Sequence, residues 1–416
     1  MRNPFAAFFE RRSASAITSS YALAKALLGR PSLAGTVVSE STALNLAAVM
    51  TCVSIRSRAL ASLPVRVYEQ LDERSKRPAV LHPLSRVLSQ PNSWQTRAEL
   101  FGMLEAHRVL RGNAYAWINR VVATSPDGMD REQVAELIPM HPDQVDVVAP
   151  KDDFAGGPSY RLTKRNGQVV PLASREVLHL RGLSTDGLVG RSVLEDAREL
   201  LGGALATQAH SSTFWRSSGI PSVTLRHPKS LTPQAKKNLE DSWAATYGGA
   251  EGQKRVAVLE EGMEIAPLTI AASDAQFLET RQFQRGEIAG WFHVPPHMIG
   301  DTEKSTSWGT GIEQQQIGFV AFTLRPDLVL WEQRLQRDLI SRPDKYFVRF
   351  NVNGFMRGDS AAQGAFFRVM REIGAYSAND IRALMDENPI DFGDEYLRPA
   401  NLTPLGATPA AGTGAA

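Results

Sequence analysis

"DAQFLETRQFQRGEIAGWFHVPPHMIG" occupies residues 274–300. Ser273 and Gln276 match a capping box, so a helix is expected to open here. Its body carries Arg281, Gln282, Gln284 and Arg285 beside a thin apolar stripe. A helix of that kind faces solvent or a polar subunit boundary rather than a deep core. Pro295-Pro296 stop it, because proline has no N–H to donate and its ring clashes with the preceding turn. A stretch of Ser, Thr and Gly follows, holding one Lys and one Trp. "IEQQQIGFVAFTLRPDLVLWEQRLQRDLI" (312–340) then resumes as a helix, with a kink expected near Pro326. A permissive loop thus separates two of the most regular segments.

Upstream, Ser192 and Glu195 offer another capping box, opening "VLEDARELLGGALATQAHSSTFWRS" (193–217). An unbroken helix there would be about 37 Å long. Its Gly202, Gly203, Ala204 and Ala206 are small enough to admit a neighbouring helix. Between the two helices, 219–270 reads as an α/β insert. "PSVTLRHP" is strand-like, Thr232-Pro233 opens the helix "QAKKNLEDSWAATY", and "RVAVLEEGMEIAPL" supplies one or two strands. The first half alternates helices ("ALNLAAVMTCVSIRSRALASL", "TRAELFGMLEAHRVL") with strands ("VRVYEQ", "AYAWINRVV"), with a turn at Gly112-Asn113. "SYRLTKRNGQVVPL" is a hairpin candidate with a two-residue turn at Asn166-Gly167. The end reads as strand "YFVRFNV", then helices "AAQGAFFRVMREI" and "ANDIRALMDE". The fold class is α+β.

The 416 residues carry 46 Lys and Arg against 44 Asp and Glu, a net charge of +2. Tight, static gripping of nucleic acid is disfavoured, since it needs a basic excess. A single cysteine, Cys52, rules out an internal disulfide and a multi-cysteine zinc site. It sits in an apolar helical pattern that predicts burial and a reducing, cytoplasmic origin. No run approaches the ~18 apolar residues of a membrane span. The opening "MRNPFAAFFERRSASAITSSYALAK" is expected to be a loosely ordered arm. "PANLTPLGATPAAGTGAA" cannot build a core.

No catalytic set emerges. His293 and His297 have the spacing of a zinc helix, but prolines lie between them where uninterrupted helix and a Glu are needed. "EKST" (303–306) has the end of a phosphate-binding loop without its glycine or preceding strand. His141 and His179 are isolated and read as structural. Glu260 and Glu261 read as solvated. No metal and no cofactor are expected.

Taken together and in order, five segments resemble the portal proteins of tailed bacteriophages. They are "LNLAAVMTCVSIRSRALASLPVRVYE", "EVLHLRGLSTDGLVGRSVLEDARELL", "DAQFLETRQFQRGEIAGWFHVPPHMIG", "STSWGTGIEQQQIGFVAFTLRPDLVLWEQRL" and "YSANDIRALMDENP", and they cover about 43–400. The resemblance implies a non-enzymatic ring, typically of twelve subunits, at one capsid vertex of a phage, prophage or gene-transfer particle assembled in the bacterial cytoplasm. Its partners would be double-stranded DNA passing through the channel, the packaging ATPase (terminase), a head–tail adaptor and the major capsid protein, with no membrane.

The implied parts are an N-terminal arm (1–42), a wing (43–191 and 312–354), stem helices (192–218 and 271–294), a clip (219–270), a tunnel loop (295–311), a crown (355–398) and a tail (399–416). Glu303, Lys304, Ser305, Thr306 and Trp308 would belong to the tunnel loop of the DNA channel, Lys304 as the phosphate contact and Trp308 as a neighbour or inter-subunit packing contact. Lys229, Lys236 and Lys237 in the clip would face the ATPase or adaptor. Gly311 stands where the family often has Asn, and Asp380 where Glu is usual. The rival readings are a metal-dependent DNA-processing enzyme built from scattered carboxylates and a monomeric adaptor.

Overall fold

The computed structural model describes residues 30–72, 75–124, 130–150, 157–216, 223–226, 232–234, 237–238, 264–267, 273–301, 317–352, 360–385 and 387–397. The chain divides into two compact units, 1–61 with 82–341 and 62–81 with 342–416.

Five helices frame the first unit: α1 (Ala47–Ser62, whose last residue belongs to the second unit), α2 (Arg97–Arg111), α3 (Arg198–Arg216), α4 (Ser273–Trp291) and α5 (Arg325–Leu339). Val49, Cys52 and Val53 of α1 join Leu110 of α2, Leu201 of α3 and Ile288 of α4 in one core. Burying side chains of this size stabilises by about 1.5–3 kcal/mol each. Cys52 is fully buried, and burial pushes its thiol up to about 12, so it is an inert packing group.

Thr96 caps α2 reciprocally. Its hydroxyl accepts from the Glu99 N–H at 3.3 Å, while the Glu99 carboxylate accepts from the Thr96 N–H at 2.7 Å. Gly112 ends the helix with φ +71°. The next residue starts the strand Asn113–Thr124, the centre of an antiparallel sheet between Asp130–Met140 and Val177–Arg181. At this junction two chain segments touch through glycine. A Cβ on Gly112 would lie 2.0 Å from the Arg191 carbonyl oxygen, and one on Gly190 would lie 2.0 Å from that of Gly112. Asn113 locks the contact, accepting from the Gly190 N–H and donating to the Gly190 carbonyl, both at 2.7 Å.

Two local expectations are corrected. The hairpin Ser159–Thr163/Val169–Leu172 forms, but its turn has three residues. Lys164 N–H bonds the Gln168 carbonyl and Gly167 N–H bonds that of Lys164, with Gly167 at φ +82°. This is a type I turn closed by a left-handed glycine. The expected helix from Ser192 is also interrupted: Val193–Asp196 forms a separate turn, and α3 starts at Arg198. Ser192 makes no side-chain cap, because its hydroxyl donates to the Leu110 carbonyl at 3.3 Å instead. The 19 residues of α3 give about 28 Å.

Gly202 admits not a helix but the N-terminal hairpin Arg30–Pro31/Val37–Val38. A Cβ there would meet Ser32 at 2.2 Å, and the Thr36 hydroxyl donates to the Gly202 carbonyl. Gly203 does face α4, with Gln284 Nε2 3.8 Å from a Cβ placed on it. Beyond these helices, Val223–Arg226 pairs antiparallel with Glu264–Pro267. Of the expected helix "QAKKNLEDSWAATY", Gln234, Lys237 and Asn238 are described and helical.

In the second unit, strand Val65–Gln70 lies between Lys76–Pro78 and Tyr346–Phe350. The pairing joins segments far apart in sequence. Glu69 accepts from Arg77 and from Lys345, and these bonds hold its carboxyl below the usual range. Helices Ser360–Glu372 and Ala378–Leu384 follow, the latter capped by Ser377 and Asp380. Asp380 thus has a local role that its carboxylate fills directly.

Candidate functional site

The site is where the described chain leaves α4 and where it returns into α5. The first fixed point is the end of α4. His293 N–H bonds the Gly290 carbonyl and Val294 N–H bonds that of Ala289, the paired bonds of a Schellman cap. That cap needs a left-handed residue, usually glycine. His293 fills it at φ +53°, at a cost of about 1–2 kcal/mol for a residue with a Cβ. Pro296–Ile299 then makes a 3-10 turn, ended by Gly300 at φ +81°.

The second fixed point is the returning helix. It runs from Ile317, passes through one π-helical stretch at Val320–Leu324, and enters α5. Pro326 lies in the first turn of α5. Pro326 has no N–H to donate, and just before it, where a kink is expected from the sequence, the structure places this π-helical stretch.

Side chains join the two points. The Thr323 hydroxyl donates to the His293 carbonyl at 2.7 Å, and Arg56 Nη1 donates to the Phe292 carbonyl at 3.0 Å. Arg56 Nη2 also meets Asp327 Oδ2 at 2.6 Å. Arg108 bridges Asp327 Oδ1 at 2.6 Å and grips Glu105 through Nε and Nη2 at 2.8 and 2.6 Å. Trp331 Nε1 donates to Glu105 Oε2 at 2.9 Å. Two guanidinium groups and two carboxylates balance in formal charge inside the core. Burial opposes the charge on Arg108, but Glu105 and Asp327 outweigh it and raise its pKa further. The arrangement is a clamp. It offers no nucleophile and no free base.

His179 lies in the neighbouring sheet. Its Nε2 is 3.0 Å from Asn113 Oδ1 and its Nδ1 3.2 Å from the Tyr160 hydroxyl. Asn113 Oδ1 accepts, so Nε2 carries the proton and Nδ1 receives the phenol's. Burial, then Arg181 and Arg334, pull its pKa down to about 2. The structural reading of His179 holds. His293 and His297 join no group of three potential metal ligands among the described residues.

Glu303, Lys304, Ser305, Thr306 and Trp308 lie outside the described residues, as do Lys229 and Lys236. Lys237 is helical and exposed. The clamp was missed in the sequence because its members are up to 271 positions apart. The available signal was Glu105 and Arg108, which share a helix face with Phe101 and Leu104.

The family model for the phage portal protein matches residues 47–386. The chain belongs to the phage portal protein family. It is 33% identical over 374 residues to the portal protein of Enterobacteria phage HK97, covering 88% of this chain and 85% of that one. It is 31% identical over 389 residues to the probable portal protein of Streptomyces phage phiC31, covering 92% and 84%. Among solved structures, a chain from the neck of a native gene transfer agent particle, computed with C12 symmetry, matches with a TM-score of 0.59 at 23% identity, over 89% of this chain and 99% of that one. An HK97-family portal protein from Corynebacterium diphtheriae matches at 0.52 and 18%, over 78% and 99%. These two likenesses carry the portal fold. The family is one of structural proteins.

Proposed function

We propose that the chain assembles as a ring of twelve at one capsid vertex of a phage or phage-like particle and conducts double-stranded DNA. In that ring α3 and α4 are the stem, 219–270 is the clip that meets first the packaging ATPase and then the head–tail adaptor, and 295–311 is the loop toward DNA. The carrying observation is the clamp at the loop root, where Thr323 and Arg56 hold the carbonyls of His293 and Phe292. A loop that touches a moving duplex needs roots that do not move with it. A Ser-, Thr- and Gly-rich tip gives conformational freedom at low cost.

Charge supports the same reading. Residues 274–338 hold nine Asp or Glu and six Lys or Arg. A lining with little positive charge lets a polyanion slide, because each phosphate contact adds salt-dependent grip. α4 exposes Phe283 in its middle (64%) and Trp291 at its end (42%), as a subunit boundary requires. The test is packaging in particles that carry Lys304→Ala. The reading expects intact rings and less DNA per particle. Unchanged packaging would remove Lys304 from the DNA path.

A further inference from the structure

His107 of α2 is buried, and its Nδ1 has no hydrogen-bond partner among the described residues. Its ring stands edge-on to that of His141, with centroids 5.1 Å apart at 70°. His141 precedes the 3-10 turn Pro142–Gln144, and its Nε2 lies 3.8 Å from Glu40 Oε2. Glu40, His107 and His141 each place one potential ligand atom within 4.8 Å of the other two. Bonds of ~2.0–2.1 Å in a tetrahedral site imply ligand separations of ~3.3 Å, so a modest inward movement would complete the set. His141 can supply it, because its side chain is 41% exposed. That exposure also provides an entry path from solvent.

The surrounding charges favour a cation. Asp143 Oδ2 lies 3.5 Å from His141 Nδ1. His141 Nδ1 here accepts from the Asp143 N–H at 3.3 Å. With Nε2 on a metal the proton moves to Nδ1, and that bond gives way to one donated to the Asp143 carboxylate, the outer-shell pairing that orients metal-bound imidazoles. Arg111 is the opposing charge. Its Nε pairs with Glu40 Oε2 at 3.1 Å and its Nη1 with Asp143. Two carboxylates against one guanidinium leave one negative charge facing the two imidazoles.

From this geometry we propose that Glu40, His107 and His141 form a Zn2+ site that ties the helix Glu40–Leu44 and the 3-10 turn to α2. Two imidazoles and one carboxylate suit zinc, whereas Mg2+ and Ca2+ take oxygen ligands. The site is distinct from the clamp and does not depend on ring formation.

The test uses the untagged full-length chain, stripped with chelator, dialysed against micromolar ZnCl2 and analysed for bound metal and for Tm. The expected result is one equivalent of Zn2+ per chain and a Tm rise on the order of 2–5 °C. His141→Asn keeps a side-chain acceptor for the Asp143 N–H but removes the imidazole, and should weaken Zn2+ binding at least tenfold. Glu40→Gln keeps the bond from Arg111 and should weaken it as well. His210→Ala, outside the cluster, should leave it unchanged. Folding of each variant is read from far-UV circular dichroism without metal. A chain that retains no Zn2+, or folded His141→Asn and Glu40→Gln proteins that retain it as wild type does, overturns the proposal.

Discussion

The Thr323 hydroxyl donates to the His293 carbonyl across 2.7 Å, joining two positions 30 residues apart in the sequence. Thr323 sits in a π-helical stretch and His293 in a left-handed helix cap. Each is a departure from regular helix, and the hydrogen bond joins them. Thr323→Val keeps the shape and removes the donor, so it should cost about 1–3 kcal/mol through the unpaired carbonyl. Thr323→Ser should recover most of that, as read from urea unfolding.

The Arg56–Asp327 and Arg108–Glu105 pairs give a larger effect. Asp327→Ala leaves Arg56 without its 2.6 Å partner and removes one of the two carboxylates that Arg108 binds. Stranding buried charge in this way should cost about 3–5 kcal/mol. Thermal unfolding of the purified variant measures it, and a loss below about 1 kcal/mol would mean that water reaches the cluster.

Gly112 and Gly167 separate strain from collision. Both have positive φ, but a Cβ on Gly167 meets open space while one on Gly112 meets the Arg191 carbonyl. Gly167→Ala should cost about 1–2 kcal/mol from backbone conformation alone. Gly112→Ala should cost more than about 3 kcal/mol, since the Gly190–Arg191 segment must also move. Parallel denaturation curves decide between them.

Helix ends and periodic faces were the legible part of the fold. The capping pair Thr96 and Glu99 bounds α2, and Pro295-Pro296 closes the segment after α4. Ser192 shows why a capping pattern can fail. Its box is complete in sequence, but the close approach of Gly112 to Gly190 brings the Leu110 carbonyl within reach of its hydroxyl, and a tertiary partner wins over the local one. The left-handed His293 was illegible for a related reason: nothing local requests a histidine where glycine is preferred, and the bond from Thr323 that fixes it comes from 30 residues away. The pairing of Val65–Gln70 with Tyr346–Phe350 is likewise a long-range event. The segment order that marks the family was legible, because it needs no contact to be read.

His179 makes stability depend on pH. In the folded chain it stays neutral down to about 2, whereas in the unfolded chain it binds a proton near ~6.5. Below that pH the unfolded state holds more protons, so stability falls as pH falls, with a limiting slope of about 1.4 kcal/mol per pH unit. His179→Gln removes this dependence. The stability advantage of wild type over the variant should therefore shrink between pH 6.5 and 4.5 in urea titrations. A constant difference would show that His179 takes up its proton in the folded state.

The central claim is a ring, and native mass tests it most directly. Mass photometry of the purified chain over a range of salt, with negative-stain images, is the measurement. The account predicts a particle of about 550 kDa, twelve copies of the 45.6 kDa chain in closed rotational symmetry, seen end-on as a ring with a central hole. A homogeneous 45.6 kDa monomer at every salt and concentration would contradict it.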